Sequence, residues 1–484
     1  MLAAAALGGD NPAIALGSRV IDLTPGAVKD WAIRNLGTND KPVLLVSVFA
    51  VMVLLSAVAG LLAFRSPPLG LAVAALLNLV AIGAAVKTPV GVQLTAATLG
   101  PGLVSLVVSL FALWFFTRAW TARHAQADAP QGFDRRTFLA AALASGAVAA
   151  VGGGSSRVFG AAGEASRARV RLPAAASKAT PVPSGAQLGV RGITPYLTPT
   201  RSFYRVDTAL SLPQVDARSW RLRIHGMVEK ALELTFDDIL AMPLVERRIT
   251  LTCVSNEVGG SYVGNATWLG VRTKDLLAKV GVRAGADAVK STSVDAMTIG
   301  TPISALTDGR DAMLAIGMNG VPLPIKHGFP ARMVVPGLYG YVSATKWVTD
   351  LEVTRFSDFT GYWTRKGWAK QAPIHTESRI DVPRQFGSVT AGKVPVAGVA
   401  WAQHTGVRRV EVRVDGGPWR EANLAKQDTT DTWRQWVYPW DATSGQHKLE
   451  VRATDASGYT QTPRRASPRP DGATGWHSVT VDVA

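Results

Sequence analysis

Three long apolar runs near the N-terminus limit what this chain can fold into more than any other feature. They cover residues 43–64, 68–86 and 98–116, and none of them contains a charged residue. Each run has roughly the 20 residues that an α-helix needs to cross the hydrocarbon core of a bilayer. Core helices of soluble proteins are usually apolar on one side only, whereas these runs are apolar all round. The pattern therefore predicts three membrane-spanning helices rather than buried helices of a soluble domain.

A fourth predicted span, residues 138–154, follows the arginine pair in DRRTFL and consists mainly of small residues. Twin arginines before an apolar stretch are typical of a twin-arginine export signal, here placed inside the chain. The alternative is an ordinary short helix with a basic flank, and either interpretation takes this segment into the bilayer. The preceding loop carries more arginines (Arg118, Arg123, Arg135 and Arg136) than acidic residues (Asp128 and Asp134).

The excess of arginine in this loop sets the predicted orientation, because short loops rich in Lys and Arg stay in the cytoplasm. Residues 1–42 and everything after residue 154 are then outside. We therefore expect a multi-pass protein of the cell membrane. Its N-terminal segment (1–42) precedes a transmembrane region (43–154), and its C-terminal two thirds are extracytoplasmic.

Composition agrees with a membrane portion, since 47% of the residues are hydrophobic and only 18% are charged. The net charge of +16 is compatible with binding to nucleic acid, to an anionic membrane surface or to an anionic cofactor. Zinc-finger spacing, an RNP-like motif and a basic helix leading into heptads are all absent from the sequence, which argues against nucleic acid. The single cysteine, Cys253, excludes an intrachain disulfide, a CxxC pair and a CxxCH haem attachment site.

The remainder of the chain divides into three predicted parts. Residues 155–192 are rich in Ala, Ser, Gly and Pro and are predicted to form a linker. Residues 193–370 mix strands with two helices whose predicted N-caps are Thr235 and Thr273, without a regular βαβ period, so the fold class is α+β. Residues 371–484 contain short strands joined by turns, as in RRVEVRVDGGPWREANL, which is typical of an immunoglobulin-like β-sandwich.

Cys253 ends a predicted strand, RRITLTC, and opens into the polar loop VSNEVGGS. A thiolate is a soft ligand, and a lone one suits a metal whose other ligands come from a cofactor. The alternative is a buried thiol that acts only as a small apolar side chain. Further along, His327, Arg332 and Lys346 are spaced among strand and turn residues, a set suited to holding an anionic phosphate.

Residues 318–337, MNG-x-PLP-x-x-HGFP-x-R-x-VVPG, followed by Lys346-Trp347, resemble the signature of the sulfite oxidase family. The stretches FYRVDTALSLPQVDARSWRLRIHGMV, LTCVSN and NATWLGVRTKDLL are similar to other blocks of that family in the same order. The C-terminal sandwich resembles its dimerisation domain. The resemblance implies a molybdopterin-bound molybdenum, two-electron oxygen-atom transfer and a homodimer formed through residues 371–484.

The resemblance also implies a role for each matching residue. Cys253 would be the protein's ligand to molybdenum, and Arg205 would reach the molybdenum pocket as a second catalytic residue. The implied cofactor-binding residues are Tyr204, Arg205, Asp295, His327, Arg332, Thr345 and Lys346, of which His327 and Arg332 hold the pterin phosphate. Because no haem motif is present, electrons would pass to a quinone or a redox protein in or near the membrane.

Two other kinds of function remain open at this point. The chain could be a membrane-tethered binding module that has kept the sulfite oxidase scaffold and lost catalysis. The second is a transporter. The apolar runs of this chain are too few for one and contain no charged residue inside the membrane.

Three departures from the family pattern bear on the substrate. Sulfite-oxidising members have C-x-G-N-R-R at the cysteine, where this chain has Glu257 and Val258 in place of the two arginines. Trp368 stands where a tyrosine is expected near the metal, and Ser478 replaces an arginine after Trp-His. These changes predict a neutral, dipolar or larger organic substrate, such as an S-oxide or N-oxide, instead of sulfite. In the alternative, other basic residues such as Arg365 or Lys366 rebuild the anion pocket.

Overall fold

The computed structural model describes residues 12–25, 28, 31–32, 35–36, 40–88, 91–92, 96–124 and 162–484. The chain forms two compact units. The first comprises Met1–Ala162 with Ala209–Gln214, and the second comprises Gly163–Thr208 with Val215–Ala484. The fourth predicted span (138–154) and the twin-arginine pair lie outside the described residues.

The first unit contains the predicted apolar helices. Its described elements are α1 (Pro12–Leu23), α2 (Asp40–Arg65), α3 (Pro67–Val86), β1 (Lys87–Thr88), β2 (Gly91–Val92) and α4 (Ala96–His124). Within them, Lys41–Arg65, Pro67–Val86 and Leu99–Arg118 are long and apolar enough to cross a membrane. Large apolar side chains such as Leu54 and Leu61 are exposed, as expected for helices that face lipid.

Small residues and one polar cluster join these helices. Gly70 on α3 leaves no room for a Cβ against Ala63 on α2, so the two backbones approach closely. Asn78, the one strongly polar residue of the second run, donates a hydrogen bond from Nδ2 to Ser109 Oγ (3.0 Å). Its Oδ1 accepts one from Ser105 Oγ (3.0 Å). The amide is therefore satisfied within the apolar unit, where an unpaired polar group would be costly.

The first part of the second unit is an α+β domain. Its helices are α5 (Ala162–Arg169), α6 (Phe236–Leu240), α7 (Thr273–Val280) and α8 (Ile303–Thr307). Its strands are β3 (Arg221–Gly226), β4 (Leu232–Thr235), β5 (Val245–Thr252), β6 (Val263–Arg272), β7 (Ala288–Ser293), β8 (Thr298–Pro302), β9 (Met313–Met318), β10 (Val321–Pro322), β11 (Arg332–Val334) and β12 (Val348–Thr354).

These strands form two sheets. One has the order β10-β9-β6-β5, with β11 also paired to β9, and the other has the order β4-β3-β12-β7-β8. All the pairings are antiparallel except that between β3 and β12. The cysteine strand β5 pairs along one edge with β6. On its other edge, Glu246 N donates to Ser177 O (2.8 Å) and Thr250 N donates to Asp431 O (2.9 Å).

The two predicted helix starts have different outcomes. Thr235 caps α6 in a capping box, because its hydroxyl accepts from Asp238 N (3.1 Å) while Asp238 Oδ2 accepts from Thr235 N (2.8 Å). Thr273 is not a cap but the first residue of α7, and Arg272 occupies the cap position. The Thr273 hydroxyl donates instead to Leu306 O (2.9 Å), because Thr273 is buried and this backbone carbonyl is its nearest acceptor.

Residues 155–192 were predicted to form a linker. From Gly163 onward, however, they are part of the second compact unit. Polar contacts hold this segment although it contains little regular secondary structure. Ser166 Oγ donates to Asp216 Oδ1 (2.9 Å), and Arg248 Nη2 donates to Thr180 O (2.5 Å). Such long-range contacts leave no periodic signal in an Ala- and Pro-rich sequence.

The C-terminal domain is the predicted β-sandwich. Its strands are β13 (Glu377–Val382), β14 (Gly387–Val389), β15 (Gly392–Trp401), β16 (Val407–Val414), β17 (Arg420–Glu421), β18 (Asn423–Leu424), β19 (Arg434–Ala442), β20 (Gly445–Asp455) and β21 (His477–Val483). One sheet has the order β13-β15-β19-β18 and the other β14-β21-β20-β16-β17. Fully buried side chains of both sheets, including Val396, Trp436 and Val451, form the core. The fold class is confirmed: apolar helices precede an α+β domain and a β-sandwich.

Residues of the sandwich contact the cysteine strand β5 and stabilise its position. Arg248 on β5 forms a buried ion pair with Asp428. Four residues further along, Thr252 Oγ1 accepts a hydrogen bond from Gln403 Nε2 (2.8 Å). Both contacts come from residues of the sandwich and fix the C-terminal half of β5. The position of Cys253 therefore depends on both domains.

Candidate functional site

Cys253 follows β5 directly, and its side chain is only 8% exposed. Its backbone N donates to Tyr262 O (2.9 Å), and its Sγ lies 3.1 Å from Ser255 Oγ. Burial raises the pKa of the thiol, while Ser255 and the charge of Lys346 act in the opposite direction. A thiolate at this buried position therefore needs a compensating cation, and metal coordination supplies one.

The three predicted phosphate-binding side chains are largely buried in the same domain. His327 lies in a short 3₁₀ turn that Gly328 ends with a φ of 109°, Arg332 begins β11, and Lys346 precedes β12. His327 is 1% exposed and Arg332 is 6% exposed. The Arg332 guanidinium donates to His327 O (3.2 Å) and lies 5.1 Å from the centre of the Trp268 ring. Over the described part of the chain, no carboxylate pairs with Arg332.

The electrostatics of this cluster favour an anion. Burial lowers the pKa of Arg332 to about 10 and that of Lys346 to about 8. Burial also lowers the pKa of His327 to about 3, and the charges of Arg332 and Lys346 contribute to the shift. The buried Nε2 of His327 has no hydrogen-bond partner among the described residues. A phosphate would supply negative charge to Arg332 and would favour the protonated form of His327, whose Nε2 would then donate a hydrogen bond to it. These residues therefore fit the phosphate of a pterin cofactor.

Thr345 and Asp295 lie on either side of the segment that carries Lys346. Thr345 is buried, and its Oγ1 lies 2.5 Å from Ser291 Oγ. Asp295 is in the turn between β7 and β8, where Ser293 Oγ donates to its carboxylate. The neighbouring Val294 N donates to Trp347 O (2.9 Å), which places this turn beside Lys346-Trp347.

Tyr204 and Arg205 come from the segment before β3. The Tyr204 ring lies 6.3 Å from that of Tyr262 in the cysteine loop, and burial, followed by the charge of Cys253, raises the pKa of its hydroxyl. Arg205 is exposed and donates two hydrogen bonds to Asp207, at 2.7 and 3.1 Å. The structure thus brings Tyr204 close to the cysteine loop, while Arg205 forms an ion pair.

Asp207 is a site residue that the sequence reasoning missed. Its side chain is 3% exposed, and its Oδ2 accepts from both Arg205 Nε (2.7 Å) and Lys346 Nζ (2.6 Å). One carboxylate therefore fixes two of the predicted cations. Its position two residues after Arg205 was visible in the sequence, but an acid beside a predicted anion site carries no signal of its own.

Asn256 and Arg379 were also missed, and both hold the cysteine loop. Asn256 is buried and its Oδ1 accepts from Tyr262 N (2.8 Å), so it closes the loop that begins at Cys253. Arg379, on β13, donates from Nη1 to Gly260 O (2.7 Å) and pairs with Asp381. Asn256 was recognisable within LTCVSN, whereas Arg379 belongs to the other domain and has no local signature.

The residues that depart from the sulfite oxidase pattern occupy different surroundings. Glu257 is exposed in the cysteine loop and Val258 is half-buried. Trp368 packs with its ring 5.6 Å from that of Tyr341, and Ser478 lies on β21 opposite Glu450. Of the two residues considered as replacements for the lost cations, Arg365 is exposed and donates to Thr360 O (2.9 Å), and Lys366 lies over the Tyr362 ring (4.8 Å).

The chain is similar to several known proteins. Residues 209–363 match the oxidoreductase molybdopterin-binding domain. The mitochondrial sulfite oxidase of Macaca fascicularis is 30% identical over 344 residues, which are 60% of this chain and 62% of that protein. The uncharacterized oxidoreductase YuiH of Bacillus subtilis is 34% identical over 153 residues, covering 32% of this chain and 74% of that protein.

A solved structure shows the same fold. It is that of the sulfane dehydrogenase SoxCD from Paracoccus pantotrophus, with a TM-score of 0.52 and 24% identity, covering 61% of this chain and 85% of that one. The chain spans 62% of the length of the Macaca sulfite oxidase. The domain match and the similarity to these curated relatives together show that the chain belongs to the sulfite oxidase family of molybdopterin-dependent oxidoreductases.

Proposed function

We propose that this chain is a membrane-anchored molybdenum enzyme that transfers an oxygen atom, with two electrons, to or from a small substrate outside the cell membrane. One observation supports this proposal above all others. The buried thiol at the end of β5 is influenced by the charge of Lys346. Lys346 belongs to a cluster in which Arg332 pairs with no described carboxylate and His327 Nε2 has no hydrogen-bond partner among the described residues. A metal bound to a phosphate-bearing cofactor would satisfy both needs at once.

Each predicted residue then has a distinct task. His327, Arg332, Thr345 and Lys346 would hold the pterin phosphate, Asp295 and Tyr204 would contact the pterin, and Cys253 would bind the metal. The bound cofactor supplies the centre that exchanges the electron pair and the oxygen atom. The protein fixes the geometry: Asp207 orients Arg205 and Lys346, and Asn256, Arg379 and Gln403 hold the cysteine loop and its strand.

The substrate is proposed to be neutral, dipolar or organic instead of sulfite. A doubly charged anion in a partly desolvated pocket needs paired positive charge. Here Glu257 adds a negative charge to the cysteine loop, and the charge of Arg205 is already shared with Asp207. An S-oxide or N-oxide, handled in the reductive direction, fits these surroundings better. A true sulfite oxidase with a rebuilt anion pocket is the second candidate, which Arg379 beside Gly260 favours.

Steady-state assays with sulfite and an artificial electron acceptor test the choice of substrate. We expect kcat/KM for sulfite to fall well below about 10⁶ M⁻¹s⁻¹, a value ordinary for a dedicated enzyme. Glu257→Arg should raise it by about tenfold, equivalent to about 1.4 kcal/mol, because it removes a repulsion and adds an attraction. The matched control, Glu421→Arg on an exposed strand of the sandwich, should leave it unchanged. A wild-type value near about 10⁶ M⁻¹s⁻¹ would establish the second candidate instead.

The redox partner is proposed to be a quinone or a redox protein in or near the membrane, since the sequence has no haem attachment motif. We also propose that the β-sandwich forms a homodimer, as the resemblance implies. The competing binding-module function would require none of these partners, and it predicts a protein without molybdenum.

Reporter fusions test the proposed orientation. A reporter fused after Ala484 should behave as exported, and one fused at His124, at the end of α4, should behave as cytoplasmic. The reason is the arginine excess in the loop that follows α4, which retains that loop in the cytoplasm. The opposite pattern would place the molybdopterin domain in the cytoplasm and would refute the orientation.

A further inference from the structure

Three buried polar atoms without hydrogen-bond partners lie at the boundary between the molybdopterin domain and the sandwich. They are Glu377 Oε1, Trp401 Nε1 and Gln403 Oε1, and they have no partner within the described part of the chain. Glu377 and Trp401 are direct cross-strand partners on β13 and β15, so their side chains share one face of the sheet. Gln403 follows Trp401 by two residues. Glu377 is 3% exposed, which makes it an unusually buried carboxyl group.

Gln403 links this group of atoms to the strand that leads to the cysteine. Gln403 Nε2 donates to Thr252 Oγ1 (2.8 Å), and Thr252 precedes Cys253. Residues 337–340 lie near both Glu377 and Cys253. Gly337 O accepts from Ile374 N (3.0 Å), three residues before Glu377. The buried Tyr339 is influenced by the charges of both Glu377 and Cys253, which, after burial itself, raise the pKa of its hydroxyl.

The unmatched atoms have the composition of a water site. Two are acceptors and one is a donor, and a water molecule can both donate to the oxygens and accept from the indole N–H. A metal cation would satisfy the oxygens only and would face the N–H dipole of Trp401. Leaving buried polar atoms unpaired is costly, and ordered water is the usual remedy. The chemistry therefore favours water over a cation.

The protonation state of Glu377 follows from the same surroundings. Burial raises the pKa of its carboxyl to about 8. The group is therefore largely neutral at pH 7, and it ionises within the range in which enzymes work. A carboxyl with a pKa near the operating pH exchanges protons efficiently.

We propose that Glu377, Trp401 and Gln403 hold a buried chain of water molecules behind Cys253, through which Glu377 exchanges protons with the site of oxygen transfer. The inference rests on the proposed function. Oxidation of a substrate S by water gives SO, two protons and two electrons, and the electrons leave to the carrier. Ionised Glu377 accepts one of the two protons through the water molecules and passes it on to solvent. The other proton leaves directly to solvent with the product, and the reductive direction runs both transfers backwards. Glu377 acts through water and contacts neither substrate nor metal.

Other titratable groups near Glu377 are engaged or face elsewhere. Thr376 donates to Asp455 on the opposite face of β13, and Arg379 on the same face pairs with Asp381. His404, beside Gln403, pairs with Asp431. The other charged and titratable groups on the surrounding segments include Tyr339, Arg310, Cys253, Asp471 and His375, whose Nδ1 lies 3.2 Å from Ala473 O. No cation among the described residues forms an ion pair with Glu377, so ionisation of Glu377 should appear as a separate step.

The first test measures the carboxyl itself by infrared difference titration of the full-length protein. We expect a protonated-carboxyl band that disappears with a midpoint near pH 8, as burial predicts. The band should be absent in Glu377→Gln and unchanged in Glu450→Gln, whose buried carboxylate is paired with Arg413. A Glu377 that is already ionised at pH 6 would overturn the inference.

The second test measures the pH profile and the solvent isotope effect of turnover. Glu377→Gln should lower the rate by about 100-fold, the usual scale for loss of a proton-transfer group, and should remove the inflection near pH 8. Glu377→Asp keeps a titrating carboxyl and should restore an inflection, which a merely structural role would not do. An unchanged profile in Glu377→Gln would overturn the relay. Absence of molybdenum would contradict the proposed function instead, and the infrared titration keeps the two failures distinguishable.

Discussion

Replacing Cys253 with serine is expected to abolish turnover while the pterin stays bound. Even the outer partners of metal ligands cost about 10–100-fold when removed, so loss of the ligand itself should cost at least about 100-fold. A serine hydroxyl is a harder and less acidic ligand than a thiol. The pterin should remain because its phosphate contacts, His327 and Arg332, belong to other segments of the domain.

The measurement is the turnover rate together with the pterin content of the purified variant. Ser255→Ala is the matched control, because Ser255 Oγ lies 3.1 Å from Cys253 Sγ without being a candidate ligand. It should keep the rate within a few-fold of the wild type. Near-normal turnover in Cys253→Ser would remove Cys253 from the site.

Replacing Arg332 with methionine is expected to have opposite effects on cofactor binding and on the cofactor-free protein. Loss of charge-assisted hydrogen bonds to the phosphate should weaken binding by about 1.5–3 kcal/mol, or about 10–150-fold. In the cofactor-free protein the guanidinium is buried and no described carboxylate pairs with it, so removal of its charge should cost little or raise the melting temperature. Retained pterin and thermal unfolding measure the two effects.

Arg248→Met is the matched control for this prediction. Arg248 is buried like Arg332, but it is paired with the carboxylate of Asp428. Its loss leaves that carboxylate buried and without its cation, which should lower the free energy of unfolding by about 3–5 kcal/mol. The account would be contradicted if Arg332→Met destabilised the cofactor-free protein to the same extent and still retained the pterin.

The parts of the fold that were predictable from sequence are those set by local patterns. Uniformly apolar runs predicted three helices long and apolar enough to cross a membrane, and alternation predicted β5, which Cys253 follows directly. The Thr235 cap follows from residues three positions apart, and the Asp-Gly-Gly turn joins the paired strands β16 and β17. In each of these cases, neighbouring residues alone determine the structure.

The parts that could not be predicted depend on contacts between distant residues. Asp207 joins Lys346 across 139 positions, and Arg379 reaches the cysteine loop across 119. Residues 163–192 pack through single polar contacts that have no period. Glu377 looks like an ordinary acid at the start of a strand, and only the fold shows that it is buried without a partner. A sequence pattern shows which face of a helix or strand is apolar. It does not show which other element packs against that face.

Metal analysis combined with pterin release tests the central claim most directly. We expect purified full-length protein to contain molybdenum and released pterin in equal amounts, about one of each per chain. The Cys253→Ser variant should keep the pterin, and Arg332→Met should lose most of it. Wild-type protein that folds normally but contains neither molybdenum nor pterin, even when produced with an ample molybdenum supply, would contradict the account and leave a binding module in its place.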